Sequence, residues 1–359
     1  MKEILDSIVI GGGQAGLASG YHLQKKGLQF LILEASERTA GSWPYYYDSL
    51  KLFSPARFSS LPGMQFPGHP DDYPTRNEVI DYLQNYVESF QLPVMLNQRV
   101  ESVEKEDGIF KIKTGSGETF QTRTIINATG SFHSPFNPII KDQEKFKGNI
   151  IHSAMYRSPN HYINQRVLVV GRRNSAVQIA LELADVSRVS LAVRKPVQLM
   201  KQKVWGKDLH FWLKVLGVDT FPFWRFGKTA PSSGGVIDLG DYKERLARGN
   251  PDQRSMFTSF YTDGVVWPDG KKEPIDTVIF ATGYHPNLSY FNTIGALDSE
   301  GKPLQIAGVS TVVQGVYYVG LEGQRSFSSA TLRGVGSDAK FVVRKLIRGY
   351  RPHFNENIR

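Results

Sequence analysis

Residues 7–35 read SIVIGGGQAGLASGYHLQKKGLQFLILEA. An apolar run, Ile8 to Ile10, enters a glycine turn, passes into a helical stretch and returns as a second apolar run ending at Glu34. This order, over about 30 residues, predicts a βαβ unit. Gly11, Gly13 and Gly16 give G-x-G-x-x-G directly after the first strand. The first glycine permits a tight turn, the second lets the backbone approach a pyrophosphate, and the third allows close helix–strand packing. The helix start then offers unpaired N–H groups to phosphate. Glu34 lies 23 residues after Gly11, where a carboxylate can accept both ribose hydroxyls.

The same device recurs 160 residues later. Residues 166–194 read RVLVVGRRNSAVQIALELADVSRVSLAVR, with Gly171 and Ala176 at the first and third turn positions and Arg173 at the second. Each copy is followed much later by an apolar run ending in Ala-Thr-Gly, at Thr124 to Gly130 and at Thr277 to Gly283. The fold class expected is therefore α/β, with two Rossmann-like dinucleotide-binding units. The second unit differs in charge. Its second strand leads into Arg194 and Lys195 rather than an acid. An arginine there pairs with a 2′-phosphate that a carboxylate would repel, which points to NADPH and leaves NADH open. Arg173 raises a separate expectation. A Cβ and long side chain where the backbone should meet pyrophosphate obstruct binding. If the turn also needs a positive φ, about 1–2 kcal/mol of strain is added. Arg172 and Arg173 also bring two charges that can swing aside and hold the phosphates from the rim.

With 359 residues, 40% hydrophobic and 21% charged, the chain has the composition of a globular protein of about two domains. It contains no cysteine, which excludes disulfides, thiolate metal sites and a Cys-x-x-Cys redox pair. No metal site is expected. No apolar run reaches the roughly 20 residues of a membrane span, and the opening MKEILDSIVI carries acids straight into a strand. A cytoplasmic protein without a signal peptide is the expectation. The formal charge of +9 is spread along the chain. Without a recognition motif it reads as a solvated basic surface that attracts phosphorylated cofactors rather than as a nucleic-acid interface.

Several further stretches carry a resemblance. FKGNIIHSAMY, Phe146 to Tyr156, fits F-x-G-x-x-x-H-x-x-x-Y at Phe146, Gly148, His152 and Tyr156. GSW (41–43), YPTRNEVIDYLQNY (73–86), FATGY (280–284) and VYYVGLEGQRSFSSATLRGVG (316–336) accompany it. In these motifs the chain resembles the flavin-containing monooxygenase family, in its small bacterial branch. The related Baeyer–Villiger enzymes usually end the fingerprint with Trp-Pro, where this chain has Tyr156-Arg157.

The resemblance implies FAD in the first unit and NAD(P)H in the second. It also implies an FAD domain split into residues 1–154 and 285–359 around an inserted NAD(P) domain, 155–284. It implies a cofactor-binding set. Around FAD these are Gly11, Gly13, Gln14, Ala15, Gly16, Glu34, Gly41, Ser42, Trp43, Phe53, Val100, Thr129, Gly130 and Gly320. Around the nicotinamide coenzyme they are Gly171, Arg173, Asn174, Ser175, Ala176, Arg194, Lys195, Thr282 and Gly283. The implied chemistry is hydride transfer from NAD(P)H to flavin, reaction with O2 to a C4a-(hydro)peroxyflavin, and transfer of one oxygen atom to a small sulfide, amine or ketone. The cofactor carries that chemistry, so no catalytic residue is assigned. His152 is expected to be structural or to link domains. Phe53 occupies a place where the family often has an asparagine. Phenylalanine cannot hydrogen-bond a peroxide oxygen, so leakage to hydrogen peroxide is expected.

Residues 197–228 are rich in aromatics, and Leu209 to Leu216 suit an amphipathic helix with Lys207 and Lys214 outside. Packing on its own domain is the expectation, with a lid, a channel wall or a membrane-surface helix as alternatives. Competing functions are an NAD(P)H oxidase producing hydrogen peroxide, and a flavin-binding protein whose nicotinamide site has decayed at Arg172-Arg173. A disulfide reductase is disfavoured by the absence of cysteine. The partners expected are a small-molecule substrate and O2. Homodimerisation is left open.

Overall fold

The computed structural model describes residues 3–132, 134–228, 230 and 235–349. Two sheets organise the chain. In the first, β1 (Ile4–Ile10) leads through the glycine turn into α1 (Gln14–Gln24) and back as β2 (Phe30–Leu33). β1 pairs in parallel with β2, Ile8 opposite Leu31, and on its other side with β6 (Thr119–Asn127), Ile8 opposite Ile125. α2 (Arg76–Phe90) follows, and β3 (Val94–Met95) extends the sheet beyond β2. β4 (Val100–Glu106) and β5 (Ile109–Thr114) form an antiparallel meander into β6. The strand Val316–Tyr318, from the far end of the chain, then joins β6 in parallel. The near-continuous apolar runs of β1 and β2 match burial on both faces. One core cluster joins α1 and α2 to the last helix, Leu332–Gly349, and the other fills the opposite face through β4 and β5.

α2 begins where its sequence says it should. Thr75 accepts from the Glu78 backbone N–H, and Glu78 reaches back to the Thr75 N–H at 2.7 Å, closing a capping box. The helix ends at Gln91 in the left-handed region.

The second sheet has five strands, all parallel, in the order Asp252–Ser255, Arg188–Val193, Arg166–Val170, Thr277–Phe280, Asn149–His152. α3 (Asn174–Leu183) connects Arg166–Val170 to Arg188–Val193 and packs on one face, and a three-stranded antiparallel sheet covers the other. The edge strand Asn149–His152 precedes residue 155, where the inserted unit was expected to begin, yet it pairs in this sheet.

The aromatic stretch departs from the expected packing on its own unit. It starts there, with Leu199–Lys201 pairing with Val236–Asp238, and α4 (Leu209–Val215) forms with Lys207 and Lys214 exposed. It then crosses to the first unit. Asp208 accepts from Tyr73, His210 stacks on Phe53 with centroids 5.9 Å apart, and Trp224 meets Phe341 at 5.6 Å. Asp219, buried, pairs with Arg333 at 3.1 Å. The cause is chemical. Asp219 finds its ion-pair partner on the other unit, and Asp208, held locally by His210, gains Tyr73 there.

Candidate functional site

The first glycine turn sits at the carboxyl end of β1, where the strands diverge and ligands bind in open parallel sheets. Gly11 has φ +107°, and a Cβ there would come within 2.8 Å of the Ala128 carbonyl oxygen and 3.1 Å of the Thr129 Cα. Ala128 and Thr129, which follow β6, thus close against the turn, and Gly130 comes next at φ +71°. A Cβ on Gly16 would lie 1.8 Å from the Gly11 carbonyl oxygen. Gly13 is extended at φ −83°, so its role is space rather than conformation. It faces Gly41, whose own Cβ would stand 2.8 Å from the Gly13 Cα. No side chain caps α1, and no acid lies in its first turn. Its leading N–H groups are thus suited to an anion.

The surrounding residues tie this turn to distant segments. Trp43 donates to the Gln14 amide oxygen at 3.1 Å, and Gln14 donates to the Ala330 carbonyl at 2.6 Å. Ser42 lies 3.4 Å from the Tyr46 hydroxyl. A Cβ on Gly320 would meet the Ala15 Cβ at 2.8 Å, so the loop after the last parallel strand lies against the start of α1. Val100 lies deeper, in the core cluster with Leu33.

Glu34 is buried, and its carboxylate is already engaged. Oε2 accepts from the Gly12 N–H at 2.6 Å, and Oε1 accepts from the Ser36 N–H and hydroxyl at 2.8 and 2.6 Å. An ionised carboxylate has about four acceptor positions. One remains, so Glu34 can take both ribose hydroxyls only if Ser36 turns its hydroxyl away. Gly12 was not singled out from the sequence. A Cβ on it would stand 2.9 Å from the Glu34 carboxylate. The available signal was a glycine between Gly11 and Gly13, at a position the G-x-G-x-x-G pattern leaves free.

The second turn has the same shape. Gly171 has φ +145°, and a Cβ there would meet the Ala281 carbonyl oxygen at 2.5 Å and the Ala176 Cβ at 3.0 Å. Asn174, Ser175 and Ala176 open α3, which again has no side-chain cap and no acid in its first turn. Arg173 stands at φ −95°, ψ −178°, close to the values of Gly13. This is ordinary extended backbone, so the strain considered for a positive φ does not arise. The Arg173 side chain leaves the turn and places Nη1 3.6 Å from the Glu322 carboxylate, on the loop following Gly320. Thr282 and Gly283 follow Thr277–Phe280, with Thr282 donating to the Phe136 carbonyl. Arg194 and Lys195 lie just past Val193, exposed and without an ion pair among the described residues.

The fingerprint residues form a joint. His152 has one ring nitrogen 3.0 Å from the Gly283 carbonyl, and the other accepts from the Ala154 N–H at 3.1 Å. With both nitrogens on backbone, and burial holding its pKa below the usual histidine value, the ring is a neutral structural brace. Tyr156 donates to Glu182 at 2.9 Å, and Phe146 packs on Phe260. A Cβ on Gly148 would fall 2.6 Å from the Asp276 carbonyl oxygen.

Phe53 lies against the crossing segment. It stacks on His210, whose Nδ1 lies 2.7 Å from Asp208. Burial pulls the Asp208 pKa up, but hydrogen bonds from His210 and Tyr73 hold it below the usual carboxylate range. Tyr73, Asp208, His210, Asp219 and Arg333 were all missed from sequence.

The family described as pyridine nucleotide-disulphide oxidoreductase matches residues 8–216. A solved flavin-containing monooxygenase from Stenotrophomonas maltophilia is 29% identical with a TM-score of 0.85, over 97% of this chain and 99% of that one. The probable indole-3-pyruvate monooxygenase YUCCA9 of Arabidopsis thaliana is 30% identical over 78% of this chain and 75% of its own length. The chain belongs to the flavin-containing monooxygenase family. An uncharacterized oxidoreductase, CzcO-like, of Geobacillus kaustophilus is 35% identical over 97% of this chain and 99% of its own. This monooxygenase is accordingly a flavin-dependent oxidoreductase of the class that uses FAD and NADPH. Its two uncapped helix starts at glycine turns fit two pyrophosphates.

Proposed function

We propose that this monooxygenase transfers one atom of O2 to a small soft nucleophile, a sulfide or an amine, or beside a ketone, with weakened use of NADPH. The observation that carries the reading is the pair of glycine turns at the carboxyl ends of parallel strands in two sheets, in a chain without a thiol. Bound FAD supplies the redox and oxygen chemistry. The chain's part is to hold it at Gly11, Gly13, Gln14, Ala15 and Gly16, with Glu34 on the ribose and the Gly41–Trp43 loop laid against Gln14. Gly171 and the start of α3 hold the NADPH pyrophosphate, with Thr282 and Gly283 beside them. The division proposed is 1–154 and 285–359 for FAD and 155–284 for NADPH. Sheet membership supports it, except that Asn149–His152, a strand of the second sheet, lies before the first boundary. We place the enzyme in the cytoplasm, where NADPH is available as reductant.

The test is to mix the purified yellow protein with NADPH in air and record flavin bleaching, oxygen uptake and peroxide, with and without a thioether, an amine and a ketone. Oxygenated product from at least one is expected. Oxygen uptake that ends wholly as peroxide with every class would sink the monooxygenase half of the proposal.

Weakened NADPH binding follows from the Cβ of Arg173, which stands where Gly13 has none, while its guanidinium is turned toward Glu322. With no backbone strain to relieve, the effect of Arg173→Gly is modest. NADPH is expected to bind about 3- to 10-fold more tightly, equal to roughly one neutral hydrogen bond regained, with FAD content unchanged. Weaker binding in Arg173→Gly would show instead that the arginine is a phosphate ligand.

Phe53 offers no hydrogen bond near the proposed oxygen-reactive region. Phe53→Asn is expected to lower the peroxide formed per NADPH consumed, by about 2- to 5-fold for one modest hydrogen bond. An unchanged peroxide yield, with the variant still binding FAD, removes Phe53 from that region.

A further inference from the structure

The segment that crosses between the units has two sides of opposite character. Its inward side chains are consumed. Asp208 is held by Tyr73 and His210, Asp219 by Arg333 and Trp224 by Phe341, and His210 is stacked on Phe53. Apart from Thr220, its outward side chains are apolar or cationic. Of the fifteen large hydrophobic side chains exposed among the described residues, six fall within this one stretch: Trp205, Val215, Leu216, Val218, Phe221 and Phe226. Trp205 is 86% exposed and Leu216 71%. Scattered single apolar residues need no explanation, but a concentration of this kind marks an interaction surface.

The rings gather into two groups. Trp205 lies edge-on to Trp212 at 5.4 Å, and Phe221 stacks on Phe226 at 5.7 Å. Six cations are interleaved: Lys201, Lys203, Lys207, Lys214, Arg225 and Lys228, all exposed and none in an ion pair among the described residues. Three of them lie over aromatic faces, Lys207 over Phe211, Lys214 over Phe58 and Arg225 over Trp224. Both acids of residues 199–228 are turned inward and neutralised, so the outward face carries positive charge alone.

We propose that this face docks on the surface of an anionic lipid bilayer. The chemistry selects that occupant. Aromatic rings with long cationic side chains suit the boundary between headgroups and acyl chains, where apolar tips sink and ammonium groups meet lipid phosphate. Each cation near an anionic leaflet adds attraction that salt screens. A second copy of this chain would set six unpaired cations against six. An inward-closing lid would have no reason to leave its outer face apolar. No helix among the described residues is long and apolar enough to cross a membrane, and surface docking needs none. Docking here would hold the crossing segment, and through Asp219–Arg333 the start of the last helix, beside a reservoir of apolar molecules.

The experiment is co-sedimentation of the full FAD-bound chain with vesicles of phosphatidylcholine alone, or of equal parts phosphatidylcholine and phosphatidylglycerol, at low salt and at 0.5 M salt. Binding to the phosphatidylglycerol vesicles, reduced at high salt and absent from phosphatidylcholine alone, is expected. The triple variant Trp205→Ser, Leu216→Ser, Phe226→Ser should bind about ten-fold more weakly or less, with FAD content and NADPH-driven flavin reduction unchanged. The pair Lys201→Glu, Lys214→Glu should do the same by charge alone. The idea is overturned if phosphatidylglycerol vesicles do not bind or if phosphatidylcholine binds as well. It is equally overturned if the triple variant binds like the parent, or if the parent is a dimer in solution that the triple variant converts to monomers.

Discussion

Gly13→Arg is expected to give a folded, colourless protein. The backbone at Gly13 is extended, so arginine is tolerated there as conformation; the sequence itself shows this at Arg173, with nearly the same φ and ψ. The two positions differ in what surrounds them. Gly13 lies against Gly41, and a Cβ on Gly13 would stand 3.3 Å from the Gly41 Cα, tighter than ordinary contact. The space that remains is the space proposed for the FAD pyrophosphate, held by several N–H groups at once. Charge-assisted hydrogen bonds are worth roughly 1.5–3 kcal/mol each. Losing two or three lowers FAD affinity by at least about 100-fold, and the flavin is lost during purification. The check is flavin absorbance per protein, alongside a thermal melt. A variant that stays yellow and fully loaded would remove FAD from this turn. Gly16→Ala separates folding from binding. Its Cβ would fall 1.8 Å from the Gly11 carbonyl oxygen, so it is expected to lower the melting temperature as well as the flavin content.

That contrast shows what a sequence of this kind reveals. The two βαβ units are legible because their signals are local. An apolar run, a turn glycine, a helix and a second run lie within about 30 residues, and each obeys a rule about its own neighbourhood. Gly11 and Gly171 need a positive φ, and Gly16 needs the absence of a Cβ, so the residue type itself carries the information. The crossing segment has no such signal. Tyr73 and Asp208 are 135 residues apart, and Asp219 and Arg333 are 114 apart. Nothing at either end of such a pair says which distant residue will neutralise it. Composition alone favoured packing on the nearest unit, and the buried carboxylates decided otherwise. Arg173 is an intermediate case. Its oddity was visible, but whether it strains the turn depended on a φ of −95° that no pattern reports, and where its side chain goes depended on Glu322, 149 residues away. Glu34 is legible as a strand-end acid, yet its burial and the bonds that occupy it, from Gly12 and Ser36, set how much it has left to offer a ribose.

Arg194→Ala is expected to erase most of the preference for NADPH over NADH. The strand Arg188–Val193 ends one residue earlier, so Arg194 is the first side chain past the sheet, at the position matching Glu34 of the other unit. Both Arg194 and Lys195 are exposed, and neither is spent on an ion pair among the described residues. A guanidinium free at that place can take a 2′-phosphate in two parallel hydrogen bonds, whereas an ammonium meets it as a point charge. Removing the guanidinium should therefore cost more than removing Lys195. One charge-assisted contact corresponds to about 10- to 100-fold in kcat/KM for NADPH, nearer the lower figure at high salt because the site is open to solvent. NADH lacks the phosphate and should lose almost nothing. The measurement is the ratio of kcat/KM for the two coenzymes in the parent, Arg194→Ala and Lys195→Ala, at two salt concentrations. The Arg194 variant should show a collapsed ratio with a reduced salt dependence, and the Lys195 variant a smaller fall. An unchanged ratio in Arg194→Ala with a collapsed one in Lys195→Ala would move the phosphate to the neighbouring residue. No change in either would mean that the 2′-phosphate is read elsewhere or not at all.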